Sequence, residues 1–196
     1  MKPGTITLSS GREIDLTALT PADYVLADVA TALSHIARWG GHSYRPISVA
    51  SHALRVAALV QLCGGSPTDT LIALHHDDTE AFGLGDVCHP LKALFPALMQ
   101  WEASVWAECI APALSLPIEI PELVHQADRA IGEFENDHRR SFRGIQLMAT
   151  QQATHEMFAA VHHQLRHHGH CFLLEQYAKA LKLTPSMISL PTPSYV

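Results

Sequence analysis

His52, the adjacent pair His76-Asp77 and Asp128 stand in the order H…HD…D along a chain of 196 residues. Imidazole nitrogens and carboxylate oxygens are the donors that borderline divalent metals accept. Three such ligands on rigid helices fix a cation. A fourth closes the protein's share of the site and leaves positions for water and substrate. Water on an open site of that kind loses a proton near neutral pH and yields a hydroxide nucleophile. In a chain with 14 histidines the order alone is a weak signal, and its specificity comes from the residues around it.

Glu80 follows His76 by four residues and Asp77 by three, so on a helix all three share one face. His76 and Asp77 diverge by about 100° on a helix and reach one metal only near its end. Gly83 and Gly85 place that end close by. A carboxylate at Glu80 then lies beside the metal, where it accepts the proton of a bound water. Asp86, in the loop LGDV, is a second candidate for proton transfer or water orientation; its structural alternative is a cap for the segment at Cys88-His89-Pro90.

Helices must position these groups. Residues 5–16 alternate around Ser-Ser-Gly and predict a small β-hairpin within an N-terminal extension, 1–20. From Pro21 to Trp39, Val25, Leu26, Val29, Leu33 and Ile36 form one amphipathic stripe. Ser48 caps a helix to about Leu62, ended by Gly64-Gly65, and Ser66-Pro67 opens another through His76. A long helix is predicted from Pro90 to about Leu114, kinked at Pro96. Pro121 opens one that runs through Arg139, with Val124, Ala127, Ile131 and Phe134 inward and Asp128 beside them. Two more cover 151–167 and 171–183, before a tail at 185–196. The expected architecture is all-α: a bundle of about six or seven helices with a small N-terminal hairpin, in one domain spanning 1–196.

Apolar residues make up 47% of the chain and charged residues 16%, a composition able to bury a core. The net charge of −6 counts against a broad nucleic-acid surface. With no apolar run of membrane-spanning length and no apolar leader in MKPGTITLSS, a cytoplasmic location without membrane contact is expected. Cys63, Cys88, Cys109 and Cys171 form no CxxC pair and read as reduced, mostly buried thiols. His155, His162, His163, His167, His168 and His170 read as surface histidines of the last helices.

The stretches ALSHIARWGGH (32–42), SVASHALRVA (48–57), ALHHDDTEAFGLGDVCHPLK (73–92) and QADRAIGEFE (126–135) together resemble the HD-domain phosphohydrolases, in their small nucleotidase branch. That family's fold is a helical bundle around a divalent metal, and its members include 5′-deoxynucleotidases and phage dATP triphosphohydrolases. The resemblance implies metal ligands at His52, His76, Asp77 and Asp128, and catalytic carboxylates at Glu80 and Asp86. It also implies a phosphate-contacting arginine at Arg38, an aromatic wall at Trp39, and His42 as either a phosphate contact or a loop brace. The chain departs from the family at Ala53, where a hydroxyl is usual, and at Asp78, which adds a negative charge beside the site. It also carries one extra residue before Asp86. His75 competes with His76, but register with Asp77 and Glu80 favours His76.

The resemblance implies metal-dependent hydrolysis of a 2′-deoxynucleotide at the bond between the 5′ oxygen and its α-phosphorus. Arg38, Arg45, Arg55, Lys92 and Arg129 tilt the substrate towards a dNTP, giving deoxynucleoside and tripolyphosphate; a dNMP-specific 5′-deoxynucleotidase is the alternative. A non-catalytic nucleotide sensor is the reading from another class. The donor set suits one Co²⁺, Mn²⁺, Zn²⁺ or Fe²⁺, with room for a second, substrate-bridging ion such as Mg²⁺. The small-molecule nucleotide is the expected partner, with a homo-oligomer for which the apolar stretch ALFPALMQWEASVWAECIAPAL is an interface candidate, the domain's own core being its alternative.

Overall fold

The computed structural model describes residues 3–141 and 153–188. The last eight residues, SLPTPSYV, and the first two of the helix predicted from 151 lie outside them. Strands β1 (Thr5–Thr7) and β2 (Glu13–Asp15) pair antiparallel with Ile6 opposite Ile14, as predicted. Gly11, at φ +85°, makes the turn between them. The hairpin is pinned to the first helix because both Ser9 and Ser10 hydroxyls donate to the buried Asp28 carboxylate.

Helix α1 covers Leu26–His35, shorter than the predicted 21–39. At one end Pro21–Asp23 forms its own 3₁₀ turn. At the other, Ala37 bridges Ser48, with the Arg38 N–H donating to the Ile47 carbonyl and the Val49 N–H to Ile36. Those ladder bonds remove Ile36 and Ala37 from the helix, so Arg38 and Trp39 sit on a separate 3₁₀ turn, Arg38–Gly41.

Helix α2 (Val49–Leu62) is the axis of the molecule. Ser48 caps it, its hydroxyl accepting from the Ser51 N–H at 3.2 Å. Every residue from Val49 to Val60 is buried, which needs apolar neighbours on all sides. They come from α1, from α3 (Pro67–His75), from α7 (Glu122–His138), and from the C-terminal pair α8 (His155–His168) and α9 (Phe172–Leu181). The small side chains of Ala50, Ala53, Ala57 and Ala58 let these helices approach closely. Ser66 caps α3 reciprocally with Asp69 and Pro67 takes its first position, as predicted.

Between α3 and α7 the predicted single helix is broken more deeply than a kink. Helix α4 (His89–Lys92) stops, Phe95 leaves the helical region (φ −131°, ψ 75°), and Pro96 starts α5 (Pro96–Val105). The residue before a proline is pushed out of the helical region, and proline is tolerated at a helix start. Helix α5 continues through a wide π turn, Trp106–Ile110, into α6 (Ala111–Leu114), just before Pro112, whose nitrogen cannot donate. The stretch proposed as an interface therefore divides. Leu94, Phe95 and Met99 are exposed, whereas Val105, Trp106, Cys109, Ile110, Ala111 and Leu114 belong to the core. The expected tail begins with a short 3₁₀ turn, Pro185–Met187, and Ile188 packs into the core. Among the described residues no helix is long and apolar enough to cross a membrane.

Candidate metal centre and anion pocket

His52 comes from the first turn of α2. His76 and Asp77 follow the last turn of α3, and Asp128 lies on α7. Helix α3 ends at His75, and a 3₁₀ turn, Asp78–Phe82, carries Glu80. The face-sharing expected on one α-helix is thus achieved by a tighter turn, in which the Glu80 N–H donates to the Asp77 carbonyl. One donor atom each from His52, His76 and Asp77 lies within 4.8 Å of the others. Asp77 Oδ2 is 3.4 Å from His76 Nε2 and 3.7 Å from His52 Nε2. Asp128 Oδ1 is 2.9 Å from His52 Nε2 and 3.8 Å from His76 Nε2. All four predicted ligands are brought together.

The donor set fits a cation on three observations. The Nδ1–H of His76 donates to the Ala73 carbonyl at 2.7 Å, which leaves Nε2 as the lone-pair nitrogen facing the cluster. That buried Nε2 has no hydrogen-bond partner among the described residues. The carboxylates also demand positive charge. Burial alone would lower the His76 pKa, yet Asp77, Asp128 and the Ala73 carbonyl push it up to about 9. His52 is raised against burial and Arg38 by Glu135 and Asp128. Burial would raise Asp128, but the two imidazoles hold it far below the usual carboxylate range. A divalent ion answers the same demand as two imidazole protons.

A cavity of about 590 Å³ opens beside the cluster, lined by Arg38, Trp39, Glu80, Asp86, Lys92 and Arg129 along with Asp77 and Asp128. Arg38 and Lys92 bring positive charge to its wall, with Arg38 Nη1 3.6 Å from Asp77 and 3.9 Å from Asp86. Glu80 is buried, and its Oε2 has no hydrogen-bond partner among the described residues. Burial first, then the charges of Asp77 and Asp86, push its carboxyl up to about 10, against Arg38 and Lys92. Asp86 Oδ2 accepts from the Trp39 N–H at 2.6 Å, and the start of the helix at Cys88, where the capping alternative placed it, has no side-chain cap. Of the basic residues expected near phosphate, Arg45 lines a different hollow and Arg55 is sealed behind His52. His42 is exposed and outside the lining; its carbonyl accepts from Arg139, which braces the loop.

Two side chains are placed differently from expectation. Asp78 adds no charge to the site. It turns away and accepts from the Tyr24 hydroxyl and from His75 Nδ1, both at 2.7 Å. His75 Nε2 in turn lies 2.8 Å from His162 Nδ1. His162 is therefore buried, unlike His155, His163, His167, His168 and His170, which are exposed as expected. Among the cysteines, all free, Cys88 is exposed at the cavity wall.

One group was missed. Glu135 is fully buried, with Oε1 2.7 Å from Arg55 Nη1 and 3.3 Å from His52 Nδ1, and Oε2 3.0 Å from Arg38 Nε. It stands seven residues after Asp128, two helical turns on, which puts it on the same face. That spacing was the available signal.

No protein-family model matches the chain. It is 32% identical over 121 residues to the uncharacterized protein YfdR of Escherichia coli (strain K12), covering 59% of this chain and 64% of that one. It is 38% identical over 97 residues to an uncharacterized protein of Rhodobacter capsulatus, covering 47% of this chain and 49% of that one. The similarity thus spans less than two thirds of either relative's length, and neither name assigns an activity.

Proposed function

We propose that the chain is a metal-dependent phosphohydrolase of 2′-deoxynucleotides, of the HD-domain kind, acting on dNTPs to release deoxynucleoside and tripolyphosphate. The observation that carries this reading is the convergence of His52, His76, Asp77 and Asp128 at the wall of a cavity that also holds Arg38 and Glu80. The bound cation would polarise the phosphoryl oxygens and acidify a water. Arg38 offers its guanidinium fork to the phosphoryl oxygens from the cavity wall. Trp39 walls the sugar or base. Glu80 handles the proton. Burial and the charges of Asp77 and Asp86 hold its carboxyl up, and a bound cation would lower it towards the range where a carboxyl both accepts and gives a proton effectively. The cleaved bond joins the α-phosphorus to the 5′ oxygen; water supplies hydroxyl to phosphorus and a proton to the departing oxygen. Lys92 and Arg129, on the same cavity, support room for phosphates beyond the first.

Chromatography of products tests this, with metal-stripped protein given Co²⁺, Mn²⁺, Zn²⁺ or Mg²⁺ and a panel of dNTPs, dNMPs and ribonucleotides. Deoxynucleoside plus tripolyphosphate is the expected outcome. Deoxynucleoside plus phosphate from dNMPs alone makes the chain a 5′-deoxynucleotidase, and no turnover with any metal moves it to the sensor class.

A further inference from the structure

We infer that Glu135 is a positioning residue that sets two functional side chains at once, the imidazole of His52 and the guanidinium of Arg38. The inference rests on the proposed metal centre and goes beyond it, since Glu135 touches neither cation nor substrate. Its carboxylate is fully buried at the level of His52 on α2. One oxygen faces His52 Nδ1 at 3.3 Å while Nε2 of the same ring faces Asp128 and Asp77. The other oxygen accepts from Arg38 Nε at 3.0 Å while Nη1 of that guanidinium reaches towards Asp77 and Asp86.

For His52 the consequence is a bias in tautomer, since Glu135 stands 3.3 Å from Nδ1 without completing a hydrogen bond while Nε2 lies 2.9 Å from Asp128. A carboxylate behind Nδ1 favours the proton there and presents a more basic Nε2 to a metal. For Arg38 the consequence is direction: with Nε held from behind, the two terminal nitrogens are left for the cavity. Arg55 supplies the countercharge that lets Glu135 stay ionised. Its Nη1 donates at 2.7 Å, and its Nε and Nη2, both buried, have no hydrogen-bond partner among the described residues. Packing alone gives no reason for this arrangement, because buried charged triads are commonly replaced by apolar side chains without loss of stability.

The test is Co²⁺ titration of the metal-stripped full chain, read by visible absorption, followed by inorganic phosphate read through the same bands. Glu135→Gln is expected to bind Co²⁺ about 10–100-fold more weakly, with shifted bands and a weaker response to phosphate. Ile131→Ala, one turn earlier on α7 and also fully buried, is expected to lower Tm while keeping the Co²⁺ affinity and spectrum of the wild type. Glu135→Asp keeps the charge but shortens the reach, so it is expected to fold and still weaken Co²⁺ binding; it decides the matter if Glu135→Gln does not fold. Wild-type affinity and bands in a folded Glu135 variant would overturn the inference alone, as would equal weakening in Ile131→Ala. A wild-type chain that takes up no Co²⁺ would overturn the metal centre and this inference with it.

Discussion

The backbone N–H of Trp39 donates to Asp86 Oδ2 at 2.6 Å from a residue held at φ +62°. A left-handed conformation at a bulky side chain costs on the order of 1–3 kcal/mol and persists where its surroundings enforce it. Here Asp86 holds the N–H and Arg139 covers the indole at 4.6 Å, while Gly40 and Gly41 take the next two positive-φ positions freely. Asp86→Asn keeps an oxygen for that N–H, so it should retain most turnover with KM changed only a few-fold; Asp86→Ala should release the Trp39 turn and raise KM. Steady-state kinetics of the pair decides. Equal collapse of kcat in both, at unchanged KM, would make Asp86 a proton-transfer group instead of a clamp.

Glu80 stands outside the His52, His76 and Asp77 group that could hold a metal. Glu80→Gln should therefore bind Co²⁺ as the wild type does yet lose turnover by roughly 10²–10⁴-fold, the worth of a general acid–base group. Metal content and kcat measured on one preparation check this, and unchanged turnover would transfer the role to another residue.

Arg38→Lys retains a charge next to Glu135 but not the planar fork. KM should rise about ten-fold or more, corresponding to loss of one charge-assisted hydrogen bond of about 1.5–3 kcal/mol, with kcat less affected. A KM equal to that of the wild type would remove Arg38 from the phosphate site.

His162 gives a pH dependence of the fold. Burial first, then the positive charges of His75, His163, Arg166 and His167, hold its imidazole down to about 3, below the ordinary value of 6.5. The unfolded chain thus binds the extra proton between those values. The contribution is complete above pH 6.5 and is lost as pH falls towards 3. Each pH unit in that window removes at most about 1.4 kcal/mol, less where solvent screens the neighbouring charges. Urea midpoints of the wild type and His162→Gln at pH 7.5 and 5.0 measure it. The difference between the two proteins should shrink at pH 5.0, and a constant difference would refute the neutral, buried imidazole.

Periodicity and caps were enough to read α2, α3 and α7, because Ser48, Ser66-Pro67 and Pro121 act locally. They were not enough for α1, whose end is decided by the Ala37–Ser48 bridge, a contact between residues eleven apart. They marked a kink at Pro96 but not the full break into two helices, because an apolar run hid the stop. The grouping of His52, His76, Asp77 and Asp128 was legible because one short segment carries His76 and Asp77 together with Glu80. Asp78 was misplaced because a turn tighter than an α-helix swings it towards Tyr24 and His75. Glu135 stayed hidden because a buried carboxylate looks like a surface one until its arginines, 80 and 97 positions away, are seen beside it.

The most direct test of the account is metal content and deoxynucleotide turnover measured together in the wild type and in Asp77→Ala. Asp77 is the carboxylate nearest His76 Nε2 and also faces Arg38. The expected result is a wild type that holds a divalent ion and hydrolyses a deoxynucleotide, and a folded Asp77→Ala that does neither. Full turnover by Asp77→Ala with normal metal content would contradict it.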